Sequence, residues 1–136
     1  MMRKGRKMKT MLFFKSEKGQ SVVEFALVLP VFIVIIFGIV EFGRLWETVN
    51  VVTSAAREGA RVAAVSEPNV AMARSAAQNV LSAANISGAT ISVSGPDGND
   101  DVCVTVTTGY TPITGSIIPG ITGFSISRST TMRWEG

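Results

Sequence analysis

Between Phe25 and Val40 the chain runs for sixteen residues without a charge, and only Pro30 and Gly38 interrupt large apolar or alanine side chains. Counted from Gln20, the stretch is 21 residues long and carries one charge, Glu24. At ~1.5 Å per residue such a helix spans roughly 30 Å, the thickness of a bilayer core. A core helix of a soluble protein keeps a polar face, and this one has none. The run therefore predicts a membrane span, and everything else in the chain is arranged before or after it.

The charge is split by the same run. Met1–Gly19 holds seven basic residues (Arg3, Lys4, Arg6, Lys7, Lys9, Lys15, Lys18) and one acid, Glu17, a net of +6. Residues 20–136 hold six basic and nine acidic residues, a net of −3. The overall +3 thus comes from the leader, and no basic patch interleaved with aromatics marks a nucleic-acid face. Basic residues beside a span stay on the cytoplasmic side. The expected topology is N-terminus inside, a single pass through the cytoplasmic (inner) membrane, and the C-terminal domain outside. The sequence after the run, "EFGRLWETV", offers no small-x-small cleavage site of the secretory type, so the apolar helix is expected to be retained.

Beyond the span the helical period continues. Phe42, Leu45, Trp46, Val49 and Val52 recur at three- and four-residue steps, with Glu41, Arg44, Glu47 and Asn50 between them. "SAAREGARVAAV" carries on the face through Ala56, Ala60 and Ala63 or Ala64, and small residues at that spacing permit close helix packing. Arg57, Glu58 and Arg61 would then lie outward, with Glu58 and Arg61 able to pair at i,i+3. Glu67-Pro68-Asn69 breaks the helix. A second helix is expected over residues 69–84, capped by Asn69, with Val70, Ala73, Ala77, Val80 and Leu81 on one face. From Ala89 the period becomes two. "ATISVSG" and "VCVTVTT" flank the turn-rich "GPDGNDD" as a hairpin, and "FSISRSTTMRW" reads as a third strand. The connection beginning "GYTPITG" is the longest loop and the most exposed-looking part of the domain, with no residue that stands out chemically. The expected fold class is α+β: a long N-terminal transmembrane helix continuing into a small outer domain with a second helix and a short antiparallel sheet. The expected divisions are a basic leader, 1–19; the transmembrane helix, 20–41; and the extracytoplasmic domain, 42–136.

Enzyme chemistry finds little footing. The chain has no histidine, no phosphate-binding loop and no nucleophile elbow. Cys103, the single cysteine, is expected to be a small buried hydrophobe. Asp97, Asp100 and Asp101 lack the spacing of a calcium loop and read as a solvated turn. No catalytic residue, metal ligand or cofactor is expected.

Two residues are costly where they stand, Glu24 and Pro30. Glu24 lies only ~6 Å along the helix from Gln20, near enough to reach the headgroups as an interfacial acid. Pro30 removes a backbone donor, which transmembrane helices tolerate as a kink or use as a point of weakness. The surrounding "KGQSVVEF" joins a basic segment, a glycine, four uncharged residues, a glutamate and an apolar helix. It resembles the class III leader of type IV pilin-like proteins. "EFALVLPVFIVIIFGIVEFGRL" with "AAREGARVAAV", and the closing "SRSTTMRWE", narrow the resemblance to the TadE-like proteins, minor pseudopilins of the tight-adherence (Flp-type) pilus system. The resemblance implies cleavage by a prepilin peptidase between Gly19 and Gln20, which makes Glu24 the fifth residue of the mature chain. A side-chain-free Gly19 lets protease groups approach the backbone. The freed amine of Gln20 is cationic near neutral pH, and a Glu24 carboxylate withdrawn from water in an assembly needs such a partner. Implied partners are the peptidase, other pilin or pseudopilin subunits, the assembly machinery and membrane lipid. The implied location is the inner membrane and, after assembly, the cell surface or pilus. The alternative is an uncleaved, single-pass anchored protein with an extracytoplasmic binding module.

Overall fold

A computed structural model describes residues 17–65, 69–116 and 119–135. Most of the basic leader and the expected break at Glu67-Pro68 lie outside these residues. The chain divides into two compact units, Met1–Ile36 and Phe37–Gly136. The elements run α1 (Glu17–Val65), α2 (Val70–Ala83), β1 (Thr90–Ser94), β2 (Asp101–Tyr110), a 3₁₀ turn (Ile113–Ser116) and β3 (Phe124–Arg133). The expected α+β architecture, with its long N-terminal helix, second helix and three-stranded antiparallel sheet, is the one found.

In the first unit α1 continues unbroken past Pro30. Its apolar side chains are bare; Leu27, for example, is 71% exposed. Water would not tolerate sixteen such residues in a row, so the helix needs an apolar solvent.

In the second unit the core is built on one narrow face of α1. Val52, Ala55, Ala56, Ala60 and Ala63 are buried, together with Ala73, Ala77 and Leu81 of α2 and Ile91, Val102, Val104 and Val106 of the sheet. The spacing explains the face: steps of three and four keep side chains on one side of a helix. Small size is what lets the layers meet. A Cβ on Gly59 would stand 3.1 Å from Val104 Cγ1 and 3.2 Å from both the Ala73 carbonyl oxygen and the Ala77 Cβ. On the opposite side of the helix Arg61 forms the expected pair with Glu58, Nη2 to Oε1 at 2.6 Å.

Local chemistry sets both ends of α2. The Asn69 side chain accepts from the Ala71 and Met72 N–H groups, which a helix start otherwise leaves unpaired. At the other end Asn85 takes a left-handed conformation, φ 57°. The Ile86 N–H then reaches the Leu81 carbonyl at 2.9 Å and the Asn85 N–H reaches Ser82 at 3.0 Å, the paired closure of a Schellman motif.

The sheet has order β1-β2-β3, all antiparallel, with Ile91 opposite Val106 and Val106 opposite Arg128. Alternation along β2 turns Val102, Val104 and Val106 to the helices. It turns Cys103, Thr105 and Thr107 the other way, which corrects the expectation that Cys103 is buried. The thiol stands on the outer face, 2.9 Å from Ser129 Oγ, among hydroxyls; Thr107 likewise meets Ser127 at 2.9 Å. Strand parity, not the burial tendency of cysteine, decides its side. Hydrogen bonds from Ser129 and then Thr131 hold the thiol below its ordinary pKa.

The β1–β2 turn is tight. Gly95 has φ +108°, and a Cβ there would run into the Asp101 carbonyl oxygen. Asp97 accepts from the Asn99 N–H at 2.9 Å and the Asp101 N–H at 3.1 Å, so the acidic cluster is turn architecture. These bonds, Asn99 first, lower the Asp97 pKa from its ordinary 3.8. A lowered carboxyl stabilises the folded turn above its unfolded pKa, and that contribution is lost as pH falls through the folded one. Asn99 and Asp101 amide signals in wild type are therefore expected to shift together only at pH below the ordinary carboxylate range. Asp97→Asn, which keeps an acceptor without a titration, should flatten that response. For the core, Gly59→Leu is expected to cost roughly 1–3 kcal/mol or more by overpacking. Gly43→Ala, with nothing within 4 Å of the added Cβ, should leave stability equal or higher. Thermal unfolding of the full chain in detergent micelles reads both.

Candidate functional site

The first candidate site lies on α1 just ahead of the apolar run. Gly19 and Gln20 are helical, and both are exposed. Gln20 and Glu24 share a face, as their spacing requires, and Gln20 Nε2 donates to Glu24 Oε1 at 3.4 Å.

A second constellation was not foreseen from the sequence. Glu41, directly after Val40, is half-buried, and its carboxylate gathers donors from the far end of the domain. One oxygen accepts from the Tyr110 hydroxyl. The other accepts from the Ile113 N–H at 2.9 Å and the Thr114 N–H at 3.4 Å. Arg44 Nη1 stands 3.7 Å away, and its guanidinium lies 5.8 Å from the centroid of the Tyr110 ring. Tyr110 is buried and packs on Phe124 with ring centroids 5.4 Å apart. Burial, and then the hydrogen bond to Glu41, push its phenol above the ordinary pKa.

The "GYTPITG" connection is mostly exposed, as expected, but the latch corrects the view of it as chemically plain. Tyr110 and Pro112 are buried, and the 3₁₀ turn presents its first N–H groups to Glu41. The available signal was a lone carboxylate at the exit of the apolar run together with the single tyrosine of the chain. Their separation of 69 residues leaves no periodic trace. The intervening helical residues also divide more finely than their period suggested. Val52 is buried and Leu45 and Val49 are half-buried, whereas Phe42 and Trp46 are 65% and 61% exposed and stack on each other at 6.3 Å.

Among the described residues no cluster of metal-ligating side chains occurs. Tyr110→Phe is expected to lower the unfolding midpoint, as is Glu41→Ala. The double variant should lose less than the sum, because the two groups share one bond. Additive losses would show that the latch does not act as a unit.

No curated protein and no solved structure matches the chain. A protein-family model, described as TadE-like protein, matches residues 19–61. The match opens on Gly19, takes in Gln20, Glu24, the apolar helix, Glu41 and the small-residue face through Ala60, and stops before α2. The closing strand, where a resemblance was also read, is outside it. Over residues 19–61, the segment that holds the expected cleavage site and most of the packing face of α1, the chain is similar to the TadE-like family.

Proposed function

We propose that this protein is a minor pseudopilin of a tight-adherence (Flp-type) pilus system, without enzymatic activity of its own. In this reading a prepilin peptidase cuts between Gly19 and Gln20. The bare apolar helix then anchors the subunit in the inner membrane with residues 42–136 outside, and the processed subunit takes part in assembling or anchoring pili. The observation that carries the reading is the coincidence of the family match with the chemistry of its first residues. The matched segment starts on Gly19, and five residues on stands Glu24, the one charge in an otherwise uncharged span. Association with tight-adherence pili is what the family supports; the cleavage and the role in assembly are this proposal's own steps.

The physical role of Glu24 follows from its setting. A carboxylate in a lipid-facing helix is costly unless it is paired. The amine freed at Gln20 of a neighbouring subunit supplies that partner only after processing. Glu24 thus makes docking conditional on cleavage and fixes the register between subunits. Gly19→Leu is expected to abolish processing while leaving membrane insertion intact. Glu24→Val should be cleaved as wild type yet support few or no pili. Immunoblots for the mobility shift and electron microscopy of surface pili read the two outcomes. Unimpaired cleavage of the glycine variant, or normal piliation with Glu24→Val, contradicts the scheme.

A further inference from the structure

A polar cleft of about 230 Å³ opens beside the exit of the apolar run, lined by Arg44, Glu47 and Thr48 of α1 and by Ala84, Asn85 and Ile86 at the end of α2. It continues into a space of about 280 Å³ that reaches Ser87 and Thr111. We infer that this cleft binds the headgroup of an aminophospholipid, with phosphate on Arg44 and the primary ammonium on Glu47. The inference rests on the membrane-anchor reading above and goes beyond it.

Charge comes first. Arg44 and Glu47 are neighbours on one helix face at i,i+3 and line the same cleft. Ala84 brings the carbonyl end of α2 there, with its partial negative charge. A purely anionic ligand meets Glu47 and the helix end; a purely cationic one meets Arg44. A ligand with both charges a few bonds apart satisfies the site. Arg44 is not used up by Glu41, which already accepts from Tyr110, Ile113 and Thr114; at 3.7 Å it is the most distant of the four groups, and its side chain stays 44% exposed. The Tyr110 ring holds the guanidinium in place.

Depth comes second. Arg44 lies four residues past Val40, ~6 Å along the helix, and Glu47 seven residues past it, ~10 Å. The headgroup layer on each side of a bilayer is roughly 5–8 Å deep, so the Glu47 backbone stands just beyond it and its side chain, tilted toward the helix N-terminus as helical side chains are, leans back to the layer. Phosphate sits nearer the acyl chains than the ammonium does, and the two side chains follow that order. The stacked, exposed Phe42 and Trp46 flank Arg44 in sequence, as aromatic residues of a membrane interface do. An ammonium also offers three N–H donors to Glu47 and the carbonyls, whereas a quaternary choline offers none.

The test takes the full chain into maltoside micelles and adds dihexanoyl phosphatidylethanolamine, phosphatidylcholine or phosphatidylglycerol. NMR follows the Arg44 Nε–H and the Asn85 and Ser87 amides. Saturable shifts are expected with phosphatidylethanolamine, at an affinity roughly tenfold above that for the other two, the scale of one hydrogen bond to a charged group. Arg44→Gln should abolish the shifts at Asn85 and Ser87, and Glu47→Gln should bring phosphatidylethanolamine down to the level of phosphatidylglycerol. Equal affinities for the three lipids, no saturable shift with phosphatidylethanolamine, or indifference to Glu47→Gln overturns the inference. Alkaline carbonate extraction of native membranes tests the anchor separately. A chain released by carbonate refutes the anchor reading and the inference with it; a chain that stays in the membrane but fails the titration refutes the cleft alone.

Discussion

The second unit depends on how closely other elements approach α1 between Val52 and Ala63. Alanine and glycine at steps of three and four leave almost no side chain between the helix and its neighbours, so α2 and β2 come to rest on Gly59 itself. The face suits a small domain. With little volume to fill, fourteen residues of α2 and three strands close a core that bulkier residues would hold apart. The rest follows from that seating. Asn69 and Asn85 give α2 its length. Strand parity puts the valines of β2 inward and leaves a hydroxyl-lined outer face, and the Glu135 N–H on the Ala64 carbonyl satisfies the last turn of α1.

One helix therefore serves two solvents. Up to Val40 its side chains require lipid; from Val52 they require protein. Between them Glu41 bonds Tyr110 and the 3₁₀ turn, while Arg44 and Glu47 border the polar cleft. The carboxylate at Glu24 belongs to a different economy of charge. It accepts from the Gln20 side chain, and its proposed partner arrives only when another processed subunit does. Two acids of α1 thus have their neighbours in the second unit, a loop for Glu41 and an arginine for Glu58, and the proposals above give Glu24 an amine and Glu47 a lipid ammonium.

Much of the architecture was legible because it is written in period. The 3.6-residue repeat of α1 and α2 and the two-residue repeat of the strands each reflect one buried face, and Asn69 and the Asp97 turn are local chemistry read over a few positions. What period does not encode was missed. The bond from Glu41 to Tyr110 joins residues 69 apart, and no short-range pattern announces it. Cys103 was misplaced because a residue-type tendency was allowed to outweigh the alternation of its own strand. Phe42 and Trp46 fit the helical period yet remain exposed, since a membrane-spanning chain has two reasons for an apolar position and the repeat does not separate them. Gly19, Gln20 and Glu24 were singled out by motif, and the helix accounts for the face that Gln20 and Glu24 share.

The central claim is that the chain is processed at Gly19–Gln20 before it acts. The most direct measurement is the intact mass and N-terminal peptide of the protein isolated from its native membrane, in cells with an active prepilin peptidase. A chain beginning at Gln20, methylated or not, is the predicted result. A chain still beginning at Met1 would contradict the account. Glu24 would then be an interfacial acid on a permanent anchor, and residues 42–136 a binding module that never enters a pilus.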